Sequence, residues 1–192
     1  MTAWIRMIPP EEAEGPLAEM YELVKTPHGN VDNVMRAHSL RPHTMKGHVV
    51  LYRSVLHHED NTLPLWFLET VATVVSLAND CAYSLTHHWD NARRLIDDEA
   101  RATAVREALD ANRPEDAFAG KELALLHYAH KLTVAPGEMV EADVEAPRQA
   151  GASDGEILEV NQVCAYFNYS NRLLNGLGVE IGSERVGYYG ED

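Results

Sequence analysis

Apolar residues recur every three to four positions along almost the whole chain. The segment 42–57 is typical, with inward-facing positions expected at Met45, Val49, Leu51, Tyr52 and Val55. This is the period of an amphipathic helix, and no stretch shows the alternation of a half-buried strand. The sequence therefore predicts an all-α protein.

Turn and capping signals divide the chain into successive helices. They are expected up to Lys25, over 31–40, 42–57, 64–77, from an Asn79 or Asp80 cap to Ile96, 98–110, 120–134, 140–150, and from Ser153 to a stop at Gly176. The last of these begins with the spacing of a capping box, Ser153 to Glu156. With no linker or internal repeat, we predict one domain over 1–192, comprising N-terminal helices to about 60, a core over 61–180 and a polar tail after 182. That tail is expected at the surface or facing a partner.

Charge and cysteine content exclude several classes of function. The 192 residues carry 30 acidic and 16 basic side chains, a formal net charge of -14, which disfavours nucleic acid and anionic membranes as partners. Cys81 and Cys164 are too few for a disulfide scaffold and suit a reducing compartment. No signal peptide or membrane anchor is visible, so a cytoplasmic location is expected.

Glu69 is the first residue that the helical pattern alone does not explain. It lies in the apolar segment 63–78, which is expected to form a helix buried on most sides. A buried carboxylate needs a partner or takes a raised pKa, because desolvation disfavours its charged form. Glu69 is therefore a candidate acid or base, with a structural ion pair or helix cap as the alternative.

Cys81, Ser84 and His88 follow at spacings of three and four residues, which places them on one face of the next helix. Tyr83 and His87 are expected to point elsewhere. At a helix start the backbone amides favour a thiolate, so the pKa of Cys81 is expected to fall. The alternative is an inert, buried thiol.

Two further chemistries fit the same residues less specifically. The first is nucleophilic catalysis, in which the Ser84 hydroxyl would bond to the His88 imidazole and Glu69 would reach the far ring nitrogen. These three residues would then be a nucleophile, a base and an orienting acid. The ten histidines raise the question of a metal site, but none has a standard ligand spacing, and we expect no metal and no cofactor. Most of these imidazoles are expected to be solvated.

The stretch from Glu69 to His88 resembles the alkylhydroperoxidase D-like branch of the carboxymuconolactone decarboxylase superfamily. That branch typically carries E-x11-C-x-x-C-x-x-x-H, and here Ser84 stands where the second cysteine would be. The segments 30–42 and 165–180 are also similar to peroxidase-related members. The resemblance implies an all-helical domain that forms a homo-oligomer, a dimer or larger.

The resemblance implies the following roles in the dithiol enzymes of this branch. The cysteine at the Ser84 position attacks the substrate, and the cysteine at the Cys81 position then resolves it as an intramolecular disulfide. The residues matched by Glu69 and His88 relay protons. A hydroxyl cannot form a disulfide, which excludes the dithiol cycle here. We therefore expect a peroxidase-like oxidoreductase acting on a small molecule such as a hydroperoxide, through Cys81 and an external thiol reductant.

Two alternatives to the peroxidase stay open at this point. The first is a non-redox decarboxylase, isomerase or hydrolase that uses Glu69, His88 and Ser84 as acid, base or nucleophile. The second is a module that binds a small ligand without catalysis. Arg93 and Arg94 are expected to form a solvated face rather than a substrate-binding site.

Overall fold

The computed structural model describes residues 2–189, and these contain α-helices, short 3-10 turns and no strand. The α-helices are α1 (Pro16–Val24), α2 (Asn33–Arg36), α3 (Pro42–Leu56), α4 (Leu65–Ala78), α5 (Ala82–Ile96), α6 (Glu99–Asp110), α7 (Gly120–Val134), α8 (Glu141–Gln149) and α9 (Asp154–Leu177). The predicted all-α class is confirmed, and nearly every predicted helix is present.

Helix α4 is the centre of the bundle. Every residue from Phe67 to Ser76 is buried, and the helix packs against α5, α7 and α9. Burial of a side chain as large as Phe67 stabilises the fold by about 2 kcal/mol. The prediction of a helix enclosed on most sides is confirmed, although Pro64 precedes the helix instead of lying in its first turn.

The ends of α9 show one accurate prediction and one error. The Ser153 hydroxyl accepts from the amide of Glu156, whose carboxylate accepts from the amide of Ser153, as the capping box predicts. The helix continues past the predicted stop at Gly176 and ends at Gly178, where φ is 58°. Trp4 lies directly against Gly178, so any side chain there would clash with the indole.

Two smaller apolar clusters flank the main core. One joins α1 to α3 through residues such as Leu17, Tyr21, Met45 and Val49. The other surrounds the start of α5 and consists of Ala3, Ala37, Cys81, Tyr83, Leu174 and Val179. Leu51 was expected to face inward but is 46% exposed, so the inner face of α3 is narrower than its sequence indicates.

Candidate functional site

A cavity of about 460 Å³ lies between α3, α5, α9 and the segment that follows α9. It is large enough for a small organic molecule. Imidazole and phenol rings dominate the polar part of its lining, which includes His48, Tyr52, His57, Tyr83, His87, His88, Tyr166, Tyr188 and Tyr189. The lining therefore offers hydrogen-bonding groups within largely apolar walls.

Glu69 and His88 form a buried hydrogen-bonded pair beside this cavity. Nδ1 of His88 lies 2.6 Å from Oε2 of Glu69, and the Asn91 amide donates to Oε1 at 3.2 Å. Glu69 is fully buried, whereas His88 lines the cavity and keeps 13% of its side chain exposed. The expected partner for the buried carboxylate is thus present.

The pair fixes the orientation and the tautomer of the imidazole. A carboxylate only accepts, so the neutral His88 ring carries its proton on Nδ1 and presents the lone pair on Nε2. The edge of His88 packs on Phe167, with ring centroids 4.4 Å apart. Within residues 2–189, no hydrogen bond engages Nε2, so this atom is available to a molecule in the cavity.

Ser84 lies at the cavity but does not pair with His88. Its hydroxyl is hydrogen-bonded to that of Ser76 on α4, with 2.8 Å between the oxygens, and the Asn171 amide donates to Ser76 at 3.4 Å. Within the described residues, Glu69 and His88 are thus arranged as the orienting acid and the base of a serine nucleophile, but Ser84 makes no hydrogen bond to His88.

Cys81 is sealed beneath the start of α5. It occupies the N-cap position that was predicted for Asn79 or Asp80, is 1% exposed, and is not part of the cavity wall. Burial raises the pKa of its thiol, and the charge of Asp80 acts in the same direction against the backbone amides of Ser84 and Tyr83. The expectation of a lowered pKa was wrong, because desolvation outweighs the helix start.

Tyr83 and His87, which were expected to point away from the motif, also line the cavity. Their rings stack with centroids 4.8 Å apart, and Nε2 of His87 lies 2.8 Å from Oε1 of Glu184. Nδ1 of His87 accepts from the amide of Gly187 at 3.4 Å, which leaves the ring proton on Nε2 for Glu184.

The segment after Gly182, which was predicted to lie at the surface or to face a partner, is half-buried or exposed and covers one side of the cavity. Glu184 accepts from the amide of Asn33 at 2.6 Å, and the amide of Tyr188 donates to Asn91 at 2.6 Å. Asn91 thereby connects this segment to Glu69. The end of the predicted tail, 190–192, lies outside the described residues.

Burial shifts the pKa values of Asp32 and His48 in opposite directions, because it disfavours the charged form of each. Burial, together with the charge of Glu184, raises the pKa of Asp32 to about 6, which His87 partly opposes. Burial, with a smaller contribution from His38, lowers the pKa of His48 to about 3, so this ring is neutral at physiological pH. Nε2 of His48 is 2.9 Å from the hydroxyl of Tyr166.

Most of these cavity residues were not expected at the site. Tyr52 was assigned to the inner stripe of α3, and the histidines were expected to be mostly solvated. A signal was present in His48 and Tyr52, two polar rings four residues apart on the otherwise apolar inner face of α3. Arg93 and Arg94 do form an exposed face, paired with Asp90.

Neither a metal-binding cluster nor a membrane-spanning helix is present among the described residues. Among residues 2–189, no group of three or more histidine, cysteine, aspartate or glutamate side chains is arranged to hold a metal ion. No helix in that range has both the length and the apolar character needed to cross a bilayer.

Neither family models nor curated protein sequences match the chain, whereas solved structures do. A peroxidase-related protein from Ralstonia eutropha JMP134, described as an alkylhydroperoxidase AhpD core, is similar over 96% of this chain and 94% of its own, with a TM-score of 0.82 and 22% identity. A peroxidase-related protein from Silicibacter sp. TM1040 is similar over 99% and 95%, with a TM-score of 0.81 and 25% identity.

The protein has the alkylhydroperoxidase D-like fold. The resemblance predicted from the sequence is confirmed at this level. A third similar structure is the debrominase Bmp8, in a cysteine-to-alanine variant bound to 2,3,4-tribromopyrrole, with a TM-score of 0.72, 16% identity and coverage of 95% and 94%. The fold thus occurs in proteins described as peroxidase-related and in a debrominase.

Proposed function

We propose that the protein is an enzyme that transfers a proton to or from a small, largely apolar molecule held in the cavity, with His88 as base and acid. The observation that carries this proposal is the 2.6 Å hydrogen bond that Nδ1 of the cavity-lining His88 donates to the buried Glu69. This reaction class covers the decarboxylase, isomerase and hydrolase chemistry that the sequence left open.

The chemistry requires only groups of this chain. Nε2 of His88 takes a proton from the substrate or from a water beside it, and the buried charge of Glu69 stabilises the imidazolium that forms. The imidazolium then delivers a proton to the product after its own N–H has exchanged with water. A base positioned in this way contributes about 10²- to 10⁴-fold to a rate.

Substrates with a carboxylate find cations at the wall of the cavity. Lys25 and Arg53 both line it. Lys25 is also paired with Glu22, and Arg53 donates to the backbone oxygen of Leu23. These two side chains are the candidates for binding an acidic group.

The second candidate is a peroxidase-like oxidoreductase that acts through Cys81, and the descriptions of two similar structures as peroxidase-related favour it. The thiolate would attack a hydroperoxide oxygen, giving a sulfenic acid and an alcohol. One external thiol would convert the sulfenic acid to a mixed disulfide with release of water, and a second would release the Cys81 thiol and leave as the external disulfide. The raised pKa and 1% exposure of Cys81 disfavour this reaction.

Two assays on one set of variants separate the candidates. The first follows deuterium from D2O into a panel of small enolisable ketones and aromatic acids. The second follows hydrogen peroxide consumption with excess dithiothreitol. We expect deuterium incorporation that His88→Ala and Glu69→Gln abolish and that Cys81→Ser retains. Cys164→Ser controls for loss of a buried thiol away from the cavity.

Two outcomes of these assays would contradict the proposal. Peroxide consumption that depends on Cys81, together with no proton exchange, would establish the oxidoreductase instead. Absence of turnover in both assays, with a panel compound raising the unfolding temperature, would indicate a binding module, because a ligand stabilises the state that binds it.

A homo-oligomer of two or more chains and a cytoplasmic location stay predictions from the resemblance and the composition. Light scattering after gel filtration tests the first. A mass of 21.4 kDa, that of one chain, would contradict it.

A further inference from the structure

Tyr52 differs from three other tyrosines of the cavity, Tyr83, Tyr166 and Tyr189, in the state of its hydroxyl. Tyr83 accepts from the amide of Val34 at 3.1 Å, Tyr166 pairs with His48 at 2.9 Å, and Tyr189 pairs with His57 at 3.1 Å. Within residues 2–189, the hydroxyl of Tyr52 has no hydrogen-bond partner. Tyr52 lines the cavity, so its hydroxyl is free to donate to a molecule bound there.

The position of Tyr52 puts this free donor beside the proposed base. Its ring lies against those of His57, Tyr166 and His88, with centroids 4.9, 5.6 and 6.4 Å apart. All these side chains line the same cavity. A donor on α3 and the lone pair of His88 on α5 therefore face one enclosed space.

The protonation state of Tyr52 suits a donor. Burial raises its pKa well above the usual range, and the negative charge of Glu69 raises it further. The phenol therefore keeps its proton at every pH at which the protein functions, and it can donate without becoming a competing base.

We propose that the Tyr52 hydroxyl is a hydrogen-bond donor that holds the oxygen of a small phenol or enol against His88. The proposal rests on the proposed role of His88. The ligand O–H bond breaks as its proton moves to Nε2 of His88, and the oxyanion accepts the hydrogen bond from Tyr52. The charge that develops on oxygen is thus stabilised by a donor held at the cavity wall.

The probe that tests this is 4-nitrophenol, whose visible absorption distinguishes the phenol from the phenolate. We expect the wild-type protein to bind it with a shift toward the phenolate spectrum at a pH where the free probe is mostly neutral. Tyr52→Phe should weaken binding by about tenfold to a hundredfold, the range for a hydrogen bond to a charged oxygen. 4-Nitroanisole, which has no proton to give, should show no shift.

Control variants separate this role from a structural one. Tyr169→Phe makes the same chemical change at an exposed tyrosine outside the cavity wall and should leave the binding unchanged. Tyr52→Phe removes a hydroxyl without a partner, so its unfolding temperature should equal or exceed that of the wild type. A lower unfolding temperature with unchanged probe affinity would assign Tyr52 a structural role and overturn the proposal.

The remaining outcomes distinguish the two proposals. If His88→Ala abolishes the phenolate shift while Tyr52→Phe binds the probe as the wild type does, the role of Tyr52 is refuted and that of His88 stands. If His88→Ala leaves the shift intact, the proposed function itself fails. If millimolar probe does not bind to the wild type, phenols are excluded as the ligand class.

Discussion

The start and the middle of α5 carry residues of the same motif in opposite environments. Cys81, at the start, lies among Ala37, Leu174 and other apolar side chains away from the cavity. His88, two turns further on, contacts the cavity and is held by a buried carboxylate. The helical spacing of three and four residues places Cys81 and His88 on one side of α5, but only His88 reaches the cavity. Access to the cavity therefore decides which of the two groups can react.

Of the changes considered, removal of the His88 imidazole should have the largest effect on the stability of the protein. His88→Ala leaves Glu69 buried with only the Asn91 amide as a partner. The free energy of unfolding should fall by about 3 kcal/mol, the cost of removing a hydrogen bond from a buried charged acceptor. Urea unfolding measures this, with Glu69→Gln as the matched change that removes the charge itself. A loss below 1 kcal/mol would contradict a charged carboxylate at this position.

Asp32 should have the next largest effect, and it is visible as a pH dependence. Its pKa is raised from 3.8 to about 6, so its contribution to stability is fully present below pH 3.8 and is lost as the pH rises through 6. Asp32→Asn should therefore match the wild type near pH 4 and exceed it at pH 7.5 by on the order of 2 kcal/mol. Thermal unfolding across this range checks the sign, and equal stabilities at pH 7.5 would refute it.

The smallest expected effect concerns the residue before Cys81. Asp80 adopts φ of 50° and Asp97 φ of 51°, so the two flank α5 with the same left-handed strain. Replacing either by glycine should raise the free energy of unfolding by up to about 1 kcal/mol.

The variants Asp80→Gly and Asp97→Gly also test whether the charge of Asp80 raises the pKa of the Cys81 thiol. Only Asp80→Gly removes a charge that raises the pKa of Cys81, so only this variant should alkylate faster at pH 8. Asp97→Gly is the matched control. If the two variants alkylate at the same rate, the charge of Asp80 does not act on the thiol.

Local sequence signals were enough for the helices and for the central pair. The apolar run around Glu69 predicted both its burial and its need for a partner, and the spacing to His88 identified a residue that lies within reach. The capping box at Ser153 is likewise a property of four consecutive residues. These features depend on neighbours along the chain, which the sequence displays directly.

The rest of the site depends on packing between distant segments. Tyr52 reads as an ordinary inner residue of α3 until α5 and α9 are placed around it. The segment 183–189 looks polar and peripheral, yet Glu184 is fixed by Asn33 across the fold. The prediction of a lowered pKa for Cys81 was wrong for the same reason, because the desolvation of the thiol arises from residues remote in sequence.

The most direct test of the contrast between Cys81 and His88 is the rate at which hydrogen peroxide oxidises the Cys81 thiol. Mass spectrometry compares the native protein with the chain unfolded in urea, and Cys164, also buried with a raised pKa, serves as the internal reference. We predict that the native Cys81 thiol is oxidised more slowly than in the unfolded chain and no faster than Cys164. Faster oxidation of Cys81 in the native protein would contradict the sealed thiol and restore the peroxidase.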